Sequence, residues 1–156
     1  MEPGNETGCT FCRIGAGDLW DQVFYADDHS AAFLDMAPAT RGHTLVIPRR
    51  HSADIFNVGE AEFAALGQAV HPVARRLEDR PHPGRRSIVQ SNRAAGRQDV
   101  FHWQVHLVPR YAGDGLTPQW TETSEEADEI GRLAASLRLC PVSDCPLPDR
   151  STDLAV

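Results

Sequence analysis

The run Val100–Val108 constrains this chain more than any other stretch. Apolar and polar side chains alternate along it, which is the pattern of a half-buried strand. Successive side chains of a strand point to opposite faces. Trp103, Val105 and Leu107 therefore face one way, and His102, Gln104 and His106 the other. A packed apolar face backs a row of three polar groups. A bland reading stands beside this one: an ordinary half-exposed strand that carries two histidines. Pro109 is expected to close the strand.

The rest of the chain supplies partners for that strand. Gln22–Ala26 and Ser30–Asp35 are short β-rich runs separated by the turn-like Asp27-Asp28-His29. Pro38–Gly42 is a further turn signal, and His43–Pro48 is a short apolar run that reads as a buried strand. Arg86–Asn92 reads as another strand. Asn57 with Glu60 predicts a helix N-terminus. Phe63, Leu66, Val70, Val73 and Leu77 then recur at helical spacing. Pro72 inside that pattern removes a backbone donor and predicts a kink or an early break. Thr123 with Glu126 opens a second amphipathic helix carrying Ala127, Ile130, Leu133, Ala134 and Leu137. Strands interleaved with two helices predict an α+β fold. One domain is expected over 1–156, with its core at about 9–111 and a C-terminal helix and tail at 112–156.

The net charge of -7 argues against a polyanion binder, so no nucleic-acid partner is expected. All 15 basic residues are Arg, which excludes lysine chemistry. No apolar run approaches membrane-spanning length, and the polar start MEPGNETG lacks the pattern of a signal peptide. A cytoplasmic protein with reduced thiols and no membrane partner is expected. In that setting the tight Cys9/Cys12 pair reads as metal-binding or redox. Cys140 and Cys145, five residues apart, could form a second metal or redox pair, but with no histidine partners in the tail they read as plain thiols.

Asn92 begins the loop that leads into the alternating strand. Arg93-Ala94-Ala95-Gly96-Arg97-Gln98 is rich in small residues, whose backbone N–H groups can approach an anion closely. Two imidazoles, amide donors and a tight loop together make a phosphate-sized pocket. A plain hairpin connection is the alternative for the loop.

Several separated motifs then fall in one order: Phe33-Leu34-Asp35, Gly42-His43-Thr44-Leu45-Val46-Ile47-Pro48, Asn92, and Val100-Phe101-His102 followed by His106-Leu107-Val108-Pro109-Arg110. Together they resemble the histidine triad (HIT) family, from about Cys9 to Tyr111. The resemblance implies an antiparallel sheet of about five strands with two helices, usually paired as a homodimer. It implies a nucleotide or nucleotide-like ligand, and hydrolase or nucleotidyl transferase chemistry on phosphoramidates and related esters. In that family the middle histidine of His-x-His-x-His attacks the α-phosphorus. Here that position is Gln104, whose amide is not basic and only donates and accepts hydrogen bonds.

The resemblance makes Gln104 the nucleophile position and His106 a second catalytic residue. Asp35 matches the residue that accepts from sugar hydroxyls, with Phe33, Leu34 and Met36 lining the base pocket. Strand core is the plainer reading of Phe33 and Leu34, and a turn former that of Asp35. Asn92, Arg97, Gln98, Asp99 and His106 complete the substrate-binding set. Arg97 stands where the family commonly has glycine; it can clamp a phosphate or carboxylate, or simply fill the pocket. Three explanations of Gln104 stay open. They are an engineered His→Gln change, a natural binding module without turnover, and a divergent enzyme that activates water through His106. Repurposing for specialised metabolism is a further alternative.

A subset of bacterial members binds structural zinc through a C-x-x-C pair and two histidines. The matching residues are Cys9, Cys12, His51 and His102, a donor set that suits a closed tetrahedral site. His102 then pins the start of the strand, and His106 remains for the substrate.

Overall fold

The computed structural model describes residues 8–18, 23–78, 85–116 and 127–137. The chain separates into two compact units, Met1–Leu116 and Thr117–Val156. In the first, the elements run α1 (Thr10–Ala16), β1 (Val23–Ala26), β2 (Ser30–Leu34), β3 (Thr44–Pro48), α2 (Glu60–Glu78), β4 (Arg85–Val89) and β5 (Val105–Arg110). The strands form one antiparallel sheet in the order β1-β2-β3-β5-β4. The second unit contributes helix α3 (Ala127–Ser136), whose Ile130 and Leu133 are exposed. The predicted cap at Thr123 and Glu126, and Cys140 and Cys145, lie outside the described residues.

Each face of the sheet has its own core. Ala32, Val46, Trp103, Val105 and Leu107 pack against Leu66, Ala69 and Val73 of α2. On the other face Ala31, Phe33, Leu45 and Ile47 pack against Phe11 and Ile14 of α1. Two-residue alternation thus sends successive side chains of β2 and β3 into different cores.

Helix α1 has no counterpart in the sequence reading. It is only seven residues long and contains a glycine, too little for a periodic signal. Packing holds it instead. A Cβ on Gly15 would lie 2.8 Å from the Arg49 carbonyl oxygen, so only glycine lets the helix seat there. Gly17, at φ 110, closes it in the left-handed conformation. Arg49 fixes the contact by donating from Nε to the Gly15 carbonyl at 2.8 Å.

Four local expectations change. Helix α2 runs unbroken through Pro72. Gln68, whose carbonyl loses its helical donor, is exposed and can bond to water instead. The cap lies two residues later than expected: Gly59 N–H donates to Glu62 Oε2 at 3.5 Å, and Asn57 sits in the preceding turn. Strand β5 begins only at Val105, because β3 pairs no further than Val46 with Val105, and Trp103 N–H donates to the Ser52 carbonyl at 2.6 Å instead. The strand also continues through Pro109 to Arg110. Past Leu107 it has β4 as a neighbour but no β3 partner, so a residue without N–H is tolerated.

Candidate functional site

The three polar residues of the alternating run do share the α1 side of the sheet. Trp103, Val105 and Leu107 all fall in the α2 core, while His102 meets Phe11 of α1 edge-on at 5.8 Å. His102 and Gln104 precede the strand proper, and His106 lies within it. The row therefore links two clusters, one at each end.

At the first end stand Cys9, Cys12, His51 and His102, with one ligand atom from each within 4.8 Å of the others. Cys9 Sγ lies 3.5 Å and Cys12 Sγ 3.6 Å from His102 Nδ1, and Cys12 Sγ lies 3.2 Å from His51 Nδ1. Tetrahedral zinc, with ligands at about 2.0–2.3 Å, spaces donor atoms by about 3.3–3.8 Å. The four residues fit that ion. His102 Nε2 lies 2.9 Å from the Pro48 carbonyl, to which it donates, leaving Nδ1 as the free lone pair. Burial pushes the His102 pKa down to about 4, against the opposing pull of the Pro48 bond. The imidazole is therefore neutral, the form that ligates.

At the other end Asp35, His43 and His106 form a chain. His43 Nε2 lies 3.0 Å from His106 Nδ1, and His43 Nδ1 lies 3.3 Å from Asp35 Oδ2. The Ala39 N–H also points at His43 Nδ1, at 3.1 Å. Nδ1 can accept from Ala39 or donate to Asp35, and the two tautomers send the His43–His106 proton in opposite directions. When Nδ1 donates to Asp35, His106 Nε2 is a free base. When Nδ1 accepts from Ala39, His106 Nε2 carries a proton.

His43 is the site residue that the sequence reading did not single out. It precedes β3 by one residue and shares a face with Leu45, which pairs with His106. That cross-strand register was the missing signal.

Burial lowers the pKa of both His43 and His106. Asp35 partly offsets it at both, and Asp99 also at His106, where the His43 charge adds to the lowering. The folded protein keeps these rings neutral, whereas the unfolded chain protonates them near pH 6.5. Below that pH the unfolded state binds more protons, so stability rises with pH and is lost as pH falls. Thermal melts from pH 8 to pH 5 should show Tm declining below about pH 6.5. A flat profile would show that the rings are not held neutral.

Between the two clusters lies Gln104, only 3% exposed. Its Oε1 is buried with no hydrogen-bond partner among the described residues. Such a carbonyl costs about 1–3 kcal/mol.

The other candidate residues divide. Asp35 Oδ1 accepts from Ala37 N–H at 2.8 Å, so Asp35 is at once a turn former and a member of the histidine chain. Phe33 is 3% exposed and meets Phe11 edge-on at 5.4 Å, deep in the α1 core rather than lining an open pocket. Leu34 and Met36 are the exposed members of that run. Gln98 is a buried staple: Oε1 accepts from Arg93 N–H, and Nε2 donates to the carbonyls of Ala53 and Val100. Asn92 is also spent within the protein, bonding Ile55 N–H and Gln90. Arg97 and Asp99 are exposed on the stapled loop.

Residues 17–113 match the HIT domain. The chain belongs to the HIT family. The protein "hit" of Bacillus subtilis (strain 168) is 35% identical, over 83% of this chain and 91% of its own. Adenosine 5'-monophosphoramidase HNT1 of Saccharomyces cerevisiae is 31% identical, over 85% of this chain and 82% of its own. Among solved structures, a HIT family member from Bacillus subtilis superposes with a TM-score of 0.78 at 32% identity, covering 86% of this chain and 99% of that one. A Zn-bound histidine triad family protein from Mycobacterium smegmatis gives 0.66 at 32% identity, covering 85% and 94%. The HIT fold expected from the motifs is the fold observed, with α1 as a third helix. Among the described residues no helix is long and apolar enough to cross a membrane.

Proposed function

We propose that this HIT protein binds a nucleoside phosphate ester or phosphoramidate beside His106 and Gln104 and hydrolyses it at phosphorus. The observation that carries the reading is the Asp35–His43–His106 chain. It gives a half-buried imidazole two interchangeable protonation patterns, which a general base requires. The phosphoramidase activity of the yeast relative supports the substrate class.

His106 Nδ1 is taken by His43, so Nε2 faces the reaction. It accepts a proton from water as the water oxygen bonds to phosphorus. The phosphorus–heteroatom bond breaks, its electron pair goes to the leaving atom, and solvent protonates that atom. Gln104 offers hydrogen bonds only, so no nucleotidyl-enzyme forms at this position. Asp35 steadies the charge that reaches His43.

Cys9, Cys12, His51 and His102 would hold zinc, which supplies a cross-link when bound and no chemistry at the substrate. The Zn-bound mycobacterial relative supports this assignment. We place the protein in the cytoplasm as a homodimer, in keeping with its thiols and its family.

A second reading follows from Gln104 itself: a nucleotide-binding module without turnover. Calorimetry with AMP, paired with a fluorogenic nucleoside phosphoramidate assay, separates the two. Binding that His106→Ala weakens, with product released over many turnovers, supports hydrolysis. Binding without release supports the module. No binding of either compound would sink both.

A further inference from the structure

The loop between β4 and β5 contains two residues in the left-handed region that are not glycine, Arg93 at φ 62 and Arg97 at φ 67. Side chains other than Gly, Asn and Asp rarely adopt such a conformation, because Cβ crowds the backbone. At Arg93 the side chain has an evident use. Its Nε donates to Asp54 at 3.0 Å, and its guanidinium lies 4.6 Å from the centre of the Phe56 ring. Arg97 has no such use. Its backbone N–H donates to the Ala94 carbonyl at 3.0 Å, while its side chain is exposed and pairs with no group among the described residues.

The loop that carries Arg97 is tied down. Gln98 ties it to Arg93, Ala53 and Val100 through three hydrogen bonds of 2.6–3.0 Å. It also borders the site: it leaves β4 just after Val89, which pairs with His106 across the sheet, and the Asp99 carboxylate, two residues beyond Arg97, acts electrostatically on the His106 ring. Arg97 thus stands at a strained backbone position on a tied loop that starts next to the His106 pairing, and its exposed guanidinium pairs with no group among the described residues. Glycine would hold the same backbone at lower cost.

We infer that Arg97 is a specificity residue that takes a second anionic group, a carboxylate or a further phosphate, on the leaving part of the ligand. The inference rests on the proposed binding of a nucleoside phosphate derivative beside His106. The first phosphate lies at His106, and the planar fork of Arg97 grips the second anion through paired N–H donors. Arg93 cannot take this part, because its charge is already spent on Asp54.

Calorimetry with two pairs of probes tests the inference. The pairs are adenosine 5'-phosphoramidates of glycine and of glycinamide, and ADP and AMP, each pair measured with the wild-type protein and with Arg97→Gln and Arg97→Gly. The wild-type protein should favour one anionic probe, glycine over glycinamide or ADP over AMP, by about 10- to 100-fold. The favoured pair identifies the source as a carboxylate or a phosphate. In both variants that ratio should fall close to one. Arg97→Gly should also raise Tm by a few degrees as the backbone strain is relieved. Equal affinity within both pairs in the wild-type protein, or a preference that survives Arg97→Gln, overturns the inference and leaves the proposed function standing. Failure of every probe to bind overturns the proposed function, and the inference with it.

Discussion

Gln104→His should give the protein a covalent step that it lacks. An imidazole at this position can attack phosphorus, and an amide cannot. Turnover of a fluorogenic nucleoside phosphoramidate should rise by about 10²–10⁴-fold, the range associated with one well-placed catalytic imidazole. Acid quenching during turnover of a nucleotide-labelled substrate should leave one nucleotidyl group on residue 104. The wild-type protein should retain none. The stereochemical course separates the routes independently: one displacement by water inverts phosphorus, while two successive displacements retain it. The buried Oε1 of Gln104 bonds to no group among the described residues, so the exchange breaks none of the protein's own hydrogen bonds at that atom. Unchanged turnover together with an unlabelled variant would show that residue 104 is not the attacking position.

Metal removal should have the second large effect. Cys9 and Cys12 belong to the start of the chain, His51 follows β3, and His102 precedes β5. A zinc ion at these residues ties three segments together. Without it α1 rests on its packing against Arg49 and the sheet. Chelation, or Cys12→Ser, should cost about 4 kcal/mol, the scale of a covalent cross-link over a loop like that between Cys12 and His51, 39 residues apart in the chain. That corresponds to a fall of about 12 °C in Tm. Elemental analysis should find one zinc per chain before treatment and none after. A metal-free purified protein whose Tm ignores chelators would exclude the structural zinc site. Nucleotide affinity should fall together with Tm, because His102 fixes the strand only two residues before Gln104.

Much of this was legible in the sequence because it depends on local geometry. The two-residue alternation from Trp103 to Leu107 assigned those side chains to one core, and the structure places them in it. The four candidate metal ligands were readable through the family resemblance, in which the C-x-x-C pair and two motif histidines match a zinc-binding subset, and the fold brings all four together. Pro72 and Pro109 misled for a shared reason. A proline is costly only where its missing N–H leaves a carbonyl without a donor, and that depends on what lies opposite. Gln68 faces solvent, and β5 has lost its β3 neighbour by Pro109.

By itself, then, the sequence determined the sheet-and-helix class, the two faces of the central run, the four candidate metal ligands and the lack of an imidazole at Gln104. Tertiary structure alone decided the rest. It joined His43 to His106 through the pairing of β3 with β5, buried Phe33 under α1, and spent Gln98 and Asn92 on internal bonds. It also left Arg97 exposed at a strained backbone position. The physical reason is range. Side-chain alternation and ligand spacing are written within a few consecutive residues. The partner of a polar group is set by which distant segment packs against it, as with the 63 residues that separate His43 from His106.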